Sequence, residues 1–143
     1  MTVLIDAERE VLGRIASQAA KQALLGEDVV IVNADKAYVS GAMKMVFAQN
    51  LHKITLKNKG NFNKGPYHAK RPDLYVRRSV RGMLPWRKTR GREAYKRVKV
   101  FIGVPAERLK ALGVAHTKKT ASEKKLRRKV TVAEICKFIG GGW

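Results

Sequence analysis

Residues 29–32 read Val-Val-Ile-Val, and this run constrains the fold more than any other feature of the chain. A strand with one wet face alternates apolar and polar residues. An unbroken β-branched run is buried on both faces, as in a parallel sheet covered by helices. The residues before it agree. Thr2 to Asp6 (TVLID) reads as a short buried strand. Leu12, Ile15, Ala16, Ala19, Ala20, Ala23 and Leu24 then recur at the spacing of one apolar helix face. Gly26 stands just past Leu25, where a C-terminal glycine belongs. Strand, helix, buried strand is a βαβ unit, which predicts an α/β fold, a parallel sheet and a right-handed crossover. The 143 residues suffice for a single domain with a real core, spanning 1–143.

The later elements are less regular. A second helix is expected from about Ala42 to Leu56, with Met43, Val46, Phe47, Leu51 and Ile54 facing inward; Lys53 to Lys57 alternates and also fits a strand. Residues 57–72 gather Asn, Gly and Pro between basic residues and read as a long loop. A helix from Asp73 to Leu84 would be stopped by Pro85, and Asp73, following Pro72, could cap it. Arg97 to Ile102 reads as a strand ended by Gly103 and Pro105. Ala106 to Lys129 is polar and basic, a segment expected to run extended over a surface. Thr131 and Glu134 are spaced as a capping box before the apolar stripe Val132, Ile135, Cys136 and Ile139, a last helix at about 131–139 closed by Gly140.

Charge identifies the class of partner. Thirty-one Lys and Arg face eleven Asp and Glu, a net of +20. Residues 1–50 are nearly balanced at −1, whereas 51–100 carry +14 and 101–143 carry +7. That surplus repels itself in a compact fold, so a polyanion is the natural counterpart. A membrane fits poorly. No run of eighteen apolar residues exists, Met1 to Asp6 is too short and acidic for a secretory signal, and Pro72, Gly82, Pro85 and Gly91 break the basic stretch. The one cysteine, Cys136, allows neither an intramolecular disulfide nor a cysteine zinc site, which suits a reducing, cytoplasmic compartment.

Enzyme chemistry finds little support. The turn after the first strand, Asp6 to Gly13, holds one glycine where a dinucleotide fingerprint needs three, and carboxylates where a pyrophosphate would sit. His52, His68 and His116 are too far apart for metal-ligand spacing. Asp73 and Glu93 stand twenty residues apart in the basic region, unlike the clustered carboxylates of a two-metal nuclease. Cys136 lies on an apolar stripe and reads as a core thiol. The chain is expected to have no catalytic residues, metal, cofactor or small-molecule substrate.

The basic middle, 57–100, reads as a nucleic-acid-binding region whose irregularity suits a folded RNA, although charge alone does not exclude DNA. Arg77 and Arg81 fall one helical turn apart with Arg78 flanking. Arg87, Lys88, Arg90 and Arg92 crowd around Thr89, a candidate N-cap, and Gly91, where backbones can approach closely. Tyr67, Trp86 and Tyr95 are candidates to stack on unpaired bases, although core packing is the stronger reading for each. No helix-turn-helix or zinc-finger spacing is present.

These residues resemble a known family. Val80-Arg81-Gly82-Met83-Leu84-Pro85-Trp86, then Arg90-Gly91-Arg92 and Val98 to Gly103, resemble the signature of universal ribosomal large-subunit protein 13. Leu12 to Ser17, Val32-Asn33-Ala34, Ser40-Gly41 and the closing Val130 to Gly142 are similar to further family segments, so the resemblance covers essentially the whole chain. It implies a three-layer α/β/α domain with a mostly parallel sheet plus basic loops and extensions, and no catalysis. The partners it implies are large-subunit rRNA and neighbouring ribosomal proteins, in the cytoplasmic ribosome. The Trp-Arg-Lys-Thr-Arg-Gly stretch and the lack of a long C-terminal extension point to the archaeal type. The expected RNA contacts are Lys70, Arg71, Arg77, Arg78, Arg81, Arg87, Lys88, Arg90, Arg92, Lys96 and Arg97. A second group comprises Lys118, Lys119, Lys124, Lys125, Arg127 and Arg128 in and beside the basic segment 106–129.

Overall fold

The structure is a computed structural model that describes residues 2–112, 117–119 and 126–143. Its centre is the expected βαβ unit: β1 (Thr2–Asp6), α1 (Leu12–Leu24) and β2 (Asp28–Val32), with β1 and β2 parallel and Val3 opposite Val29. β4 (Val98–Val100) joins β2, and β5 (Thr117–Lys119) joins β1, both in parallel, so the sheet order is β4-β2-β1-β5. A second, antiparallel pair joins β3 (Tyr38–Ser40) to β6 (Lys129–Thr131). The fold is therefore α/β around a parallel sheet.

Pleating explains the core. Val3 and Ile5 on β1, Val29 and Ile31 on β2, and Val98 on β4 point to one face, where the alanines of α1 meet α3 (Pro72–Gly82), α4 (Thr89–Arg97) and α6 (Val132–Phe138). Alanine at positions 16, 19, 20 and 23 lets α1 lie close to the sheet, and these residues are 0–4 % exposed. Leu4, Val30 and Val32 point the other way, against Phe101 and Leu112, the latter just past α5 (Ala106–Ala111). The helical layers are unequal: α1, α3, α4 and α6 cover one face, and only Phe101 and Leu112 pack on the other among the described residues. Val29 to Val32 are buried on both sides, as their β-branched run requires.

Several expectations shift. α2 (Met43–Thr55) continues as helix through the alternating stretch, but Met43 and Leu51 are exposed while Val46 and Asn50 are buried. This helix packs on α6 and β6 rather than on the main sheet, so its inward face is narrow. Asn50 survives burial because its amide donates to the Val46 carbonyl (2.8 Å) and its Oδ1 accepts from the Tyr75 hydroxyl (3.1 Å). The strand expected over Arg97 to Ile102 is only Val98–Val100. The segment expected to run extended from Ala106 instead opens with α5, and its Thr117–Lys119 is a sheet strand. The capping box forms as read: Thr131 Oγ1 accepts from the Glu134 N–H (3.2 Å), and Glu134 accepts from the Thr131 N–H (2.8 Å).

Candidate nucleic-acid interface

α3 begins where proline is at home. Pro72 takes the first helical position with its φ already set, and Asp73 places negative charge in the first turn, where the helix dipole favours it. Asp73 caps nothing beyond its neighbour: Oδ1 accepts from the Leu74 N–H (2.8 Å), and Oδ2 pairs with Arg71 (3.1 Å). Val76, Val80 and Leu84 form a buried row at four-residue spacing in the cluster that holds the alanines of α1, and Pro72, four residues before Val76, is also buried. The opposite side of α3 carries Arg78 and Arg81 into solvent, with Arg77 half-buried at the flank.

A tight corner links α3 to α4. The Trp86 N–H donates to the Leu84 carbonyl (2.7 Å) and the Lys88 N–H to that of Pro85 (3.0 Å). α4 then starts at Thr89, so Lys88 rather than Thr89 is the N-cap, and no side chain caps the helix. Gly91 is the residue that permits the corner. A Cβ there would lie 2.1 Å from the Pro85 carbonyl oxygen and 2.5 Å from its carbon, contacts no side chain survives. The close approach expected at Gly91 is thus a helix packed onto its own preceding turn. Arg92 Nε reaches back to the Trp86 carbonyl (3.3 Å) and ties the corner again.

Guanidinium and aromatic groups interleave across this corner. The Arg77 guanidinium sits 4.6 Å from the Tyr95 ring centre, Tyr95 meets Trp86 edge-on at 5.1 Å, and Arg81 lies 5.3 Å from the Trp86 ring. The three aromatic candidates therefore separate. Tyr95 is half-buried and packs on the core. Trp86 remains 42 % exposed beside Arg81. Tyr67 is 70 % exposed on the loop before α3, its hydroxyl donating to the Asn63 carbonyl (2.9 Å).

The cations divide by what already holds them. Arg90 and Arg97 donate to the Leu24 (3.3 Å) and Ala23 (3.5 Å) carbonyls, the free end of α1, where positive charge suits the dipole. Arg78 donates to the Tyr67 carbonyl, pinning the loop to α3. Lys70, Arg81, Arg87, Lys88 and Lys96 are exposed and make no side-chain hydrogen bond or ion pair among the described residues. Arg127 and Arg128, also exposed, precede β6. Lys118 and Lys119 belong to β5, opposite Ile5 and Asp6. β5 lies three strand spacings from β4, roughly 14 Å, so these lysines stand at the sheet edge opposite the one beside α3 and α4. Lys124 and Lys125 lie outside the described residues. Sequence reasoning passed over Lys53, Lys57, Lys59 and Lys64, exposed in and after α2, and Lys129, whose ammonium lies 4.3 Å from the Tyr38 ring centre. The charge block of 51–100 was the available signal for the first four.

The carboxyl ends of the strands, where open α/β sheets bind ligands, are tied together by hydrogen bonds. Asp6 Oδ1 accepts from Asn33 Nδ2 (2.8 Å) and from the Glu8 N–H (3.0 Å), and Asn33 adopts the left-handed conformation at φ 54°. The Asn33 N–H donates to the Gly103 carbonyl (3.0 Å), and the Gly103 N–H donates to Asp35 (3.3 Å). Burial, with the nearby Asp73 carboxylate adding to it, pushes the Cys136 thiol up to about 12, so it stays protonated at neutral pH. Burial also raises the Tyr75 hydroxyl, against the pull of its hydrogen bond to Asn50. Among the described residues no three metal-ligating side chains gather, and no helix is long and apolar enough to cross a membrane.

The model of the family "Ribosomal protein L13" matches residues 1–107. Over 139 residues the chain is 42 % identical to the large ribosomal subunit protein uL13 of Archaeoglobus fulgidus, covering 96 % of this chain and 86 % of that one. It is 41 % identical over 139 residues to the protein of that name from Methanococcus maripaludis, covering 96 % and 97 %. With that of Methanocaldococcus jannaschii it shares 40 % over 141 residues, covering 98 % of each. The family match spans β1 through the α3–α4 corner and β4, and on that ground the chain belongs to the ribosomal protein L13 family.

Proposed function

We propose that this chain is a structural, non-enzymatic constituent of the large ribosomal subunit. It binds large-subunit rRNA through the α3–α4 corner and supports subunit assembly beside neighbouring ribosomal proteins in the cytoplasm. One observation carries the reading. Of the sixteen Lys and Arg between residues 51 and 100, only Arg71 is ion-paired among the described residues. A surface this basic and this poor in internal counter-charge is suited to an external polyanion.

The fixed corner supplies geometry and the cations supply affinity. Arg81, Arg87, Lys88 and Lys96 meet phosphates with charge-assisted hydrogen bonds and release counterions from the RNA. Arg77, Arg78, Arg90, Arg92 and Arg97 each spend part of a guanidinium on the protein and keep N–H groups for the RNA, since an arginine carries five donors. Trp86 and Tyr67 offer exposed rings to unpaired bases. Lys70, Arg71, Lys118, Lys119, Arg127 and Arg128, with Lys124 and Lys125, extend the contact around the domain. Names of the archaeal relatives support the large-subunit assignment, and the irregular, proline-broken surface suits a folded RNA better than a regular duplex.

Sedimentation of a native extract through a sucrose gradient tests the reading. The expected result is co-migration with large subunits at unit stoichiometry that persists at high salt. Migration near the top, or loss from subunits on modest salt addition, would mean a loosely associated factor and end the proposal.

A further inference from the structure

A cavity of about 220 Å³ opens between α2, the loop before α3, α3 itself and the residue after α6. It stands apart from the α3–α4 corner. Its walls are Ile54, Ala69 and Ile139, and its polar groups belong to Asn50, His68, Tyr75 and Ser79, with Lys53 and Arg78 also lining it. Several of these groups have capacity to spare. His68 Nε2 is buried and meets no hydrogen-bond partner among the described residues. Asn50 uses one amide N–H on Val46 and accepts one bond from Tyr75, which leaves a second N–H and a second lone pair. Ser79 donates to the Tyr75 carbonyl (3.2 Å) and keeps its acceptor positions. Among the described residues no carboxylate lines the cavity.

An unpartnered buried nitrogen is costly unless a ligand or water reaches it. The volume falls below the ~300–1,000 Å³ of pockets for drug-sized ligands, so the occupant is small. Apolar walls with hydrogen-bond donors and acceptors fit a flat heteroaromatic ring. Exposed ammonium and guanidinium groups beside them fit phosphates joined to that ring. Resting on the reading of this chain as an rRNA-binding protein, we propose that the cavity receives the base of one unpaired nucleotide extruded from the RNA. Lys53 and Arg78 take its flanking phosphates. Extrusion of single bases into protein pockets is the usual means of sequence-dependent RNA recognition. It would give this protein a specific contact that the corner's phosphate binding lacks.

The test uses the full chain and protein-free archaeal large-subunit rRNA, with affinity measured across a salt series. Ala69→Leu fills the cavity, and His68→Phe keeps ring volume but removes both nitrogens; thermal melts verify folding. Ala69→Leu should lose about tenfold in affinity and His68→Phe several-fold, both with the salt slope falling by no more than the two phosphates assigned to Lys53 and Arg78, because neither substitution removes a cation. Ultraviolet cross-linking of the wild type should join the peptide around His68 and Tyr75 to one unpaired nucleotide. Folded variants that bind as tightly as wild type would overturn the cavity claim and leave rRNA binding standing. Failure of the wild type to bind rRNA at all would instead overturn the proposed function. Saturation of the cavity by a mixture of the four free nucleoside 5′-monophosphates at micromolar concentration would assign it to a soluble nucleotide. A cross-link from these residues to another ribosomal protein in intact subunits would assign it to a protein side chain. Either result would overturn the RNA-borne base.

Discussion

Gly91 and Cys136 show how much can rest on a single position. Gly91→Ala gains up to about 1 kcal/mol of helix propensity but drives a Cβ into the Pro85 carbonyl, and backbone cannot rotate away as a side chain can. The clash wins: a loss of about 2 kcal/mol or more is expected, read as a melting temperature lowered by several degrees. An unchanged melt would mean that the corner relaxes freely. Cys136 gives a pH prediction. Its thiol titrates near 9.0 when free and at about 12 when folded. A raised folded value means the unfolded chain releases its proton first, so stability is full below pH 9 and falls as pH rises from there towards 12. Chemical denaturation at pH 7, 9 and 10.5 should show this decline, and Cys136→Ser should flatten it relative to wild type. A thiol reagent at pH 8 should label the chain only after denaturant is added. Cys136 was legible as a core thiol because its spacing with Val132, Ile135 and Ile139 marks one helix face. The unfilled hydrogen-bonding capacity of His68 was not, because a lone histidine in a polar loop leaves no pattern.

Among elements, the α3–α4 hairpin separates residues that hold the fold from residues that hold a partner. Arg97 donates to the end of α1, whereas Arg87 projects from the corner with no such bond. Arg97→Met should cost about 1 kcal/mol of stability. Arg87→Gln should leave the melting temperature within about 0.5 kcal/mol equivalent and reduce the salt slope of rRNA binding by about one. Equal melts for the two variants would erase the division. Arg81→Glu, which gives up only an exposed contact with Trp86, should weaken incorporation into large subunits with little change in fold stability; unchanged incorporation at moderate salt would remove Arg81 from the contact set. Legibility followed the same physics. α1 could be read because it buries a broad stripe against the sheet. α2 was misread at Met43 and Leu51 because it rests on a two-stranded ribbon and one helix, so apolar residues outnumber buried places. β5 was missed because Thr-Lys-Lys carries no apolar alternation, and its place is set by backbone pairing with β1.

For the whole molecule, charge makes two equilibria respond to salt in opposite directions. A net +20 with two ion pairs among the described residues strains the compact state by self-repulsion. Added salt screens that repulsion, so the melting temperature of the free protein should rise between 50 and 500 mM potassium chloride. Over the same range rRNA affinity should fall, log K dropping by about 0.7–0.9 per phosphate contacted for each tenfold increase in salt. Parallel movement of the two would show that the positive charges are already compensated within the fold.

The strand order has a consequence for synthesis. β1 and β2 lie within the first 32 residues, but the strands that flank them start at 98 and 117. At about 5–20 residues per second, a translating ribosome needs roughly 3–13 s to go from β2 to β4. Throughout that interval the nascent βαβ unit has both sheet edges bare, and α6 (Val132–Phe138) has yet to be made. The stretch made meanwhile is the most cationic in the protein, so the chain emerges able to hold RNA before it is able to close its own sheet.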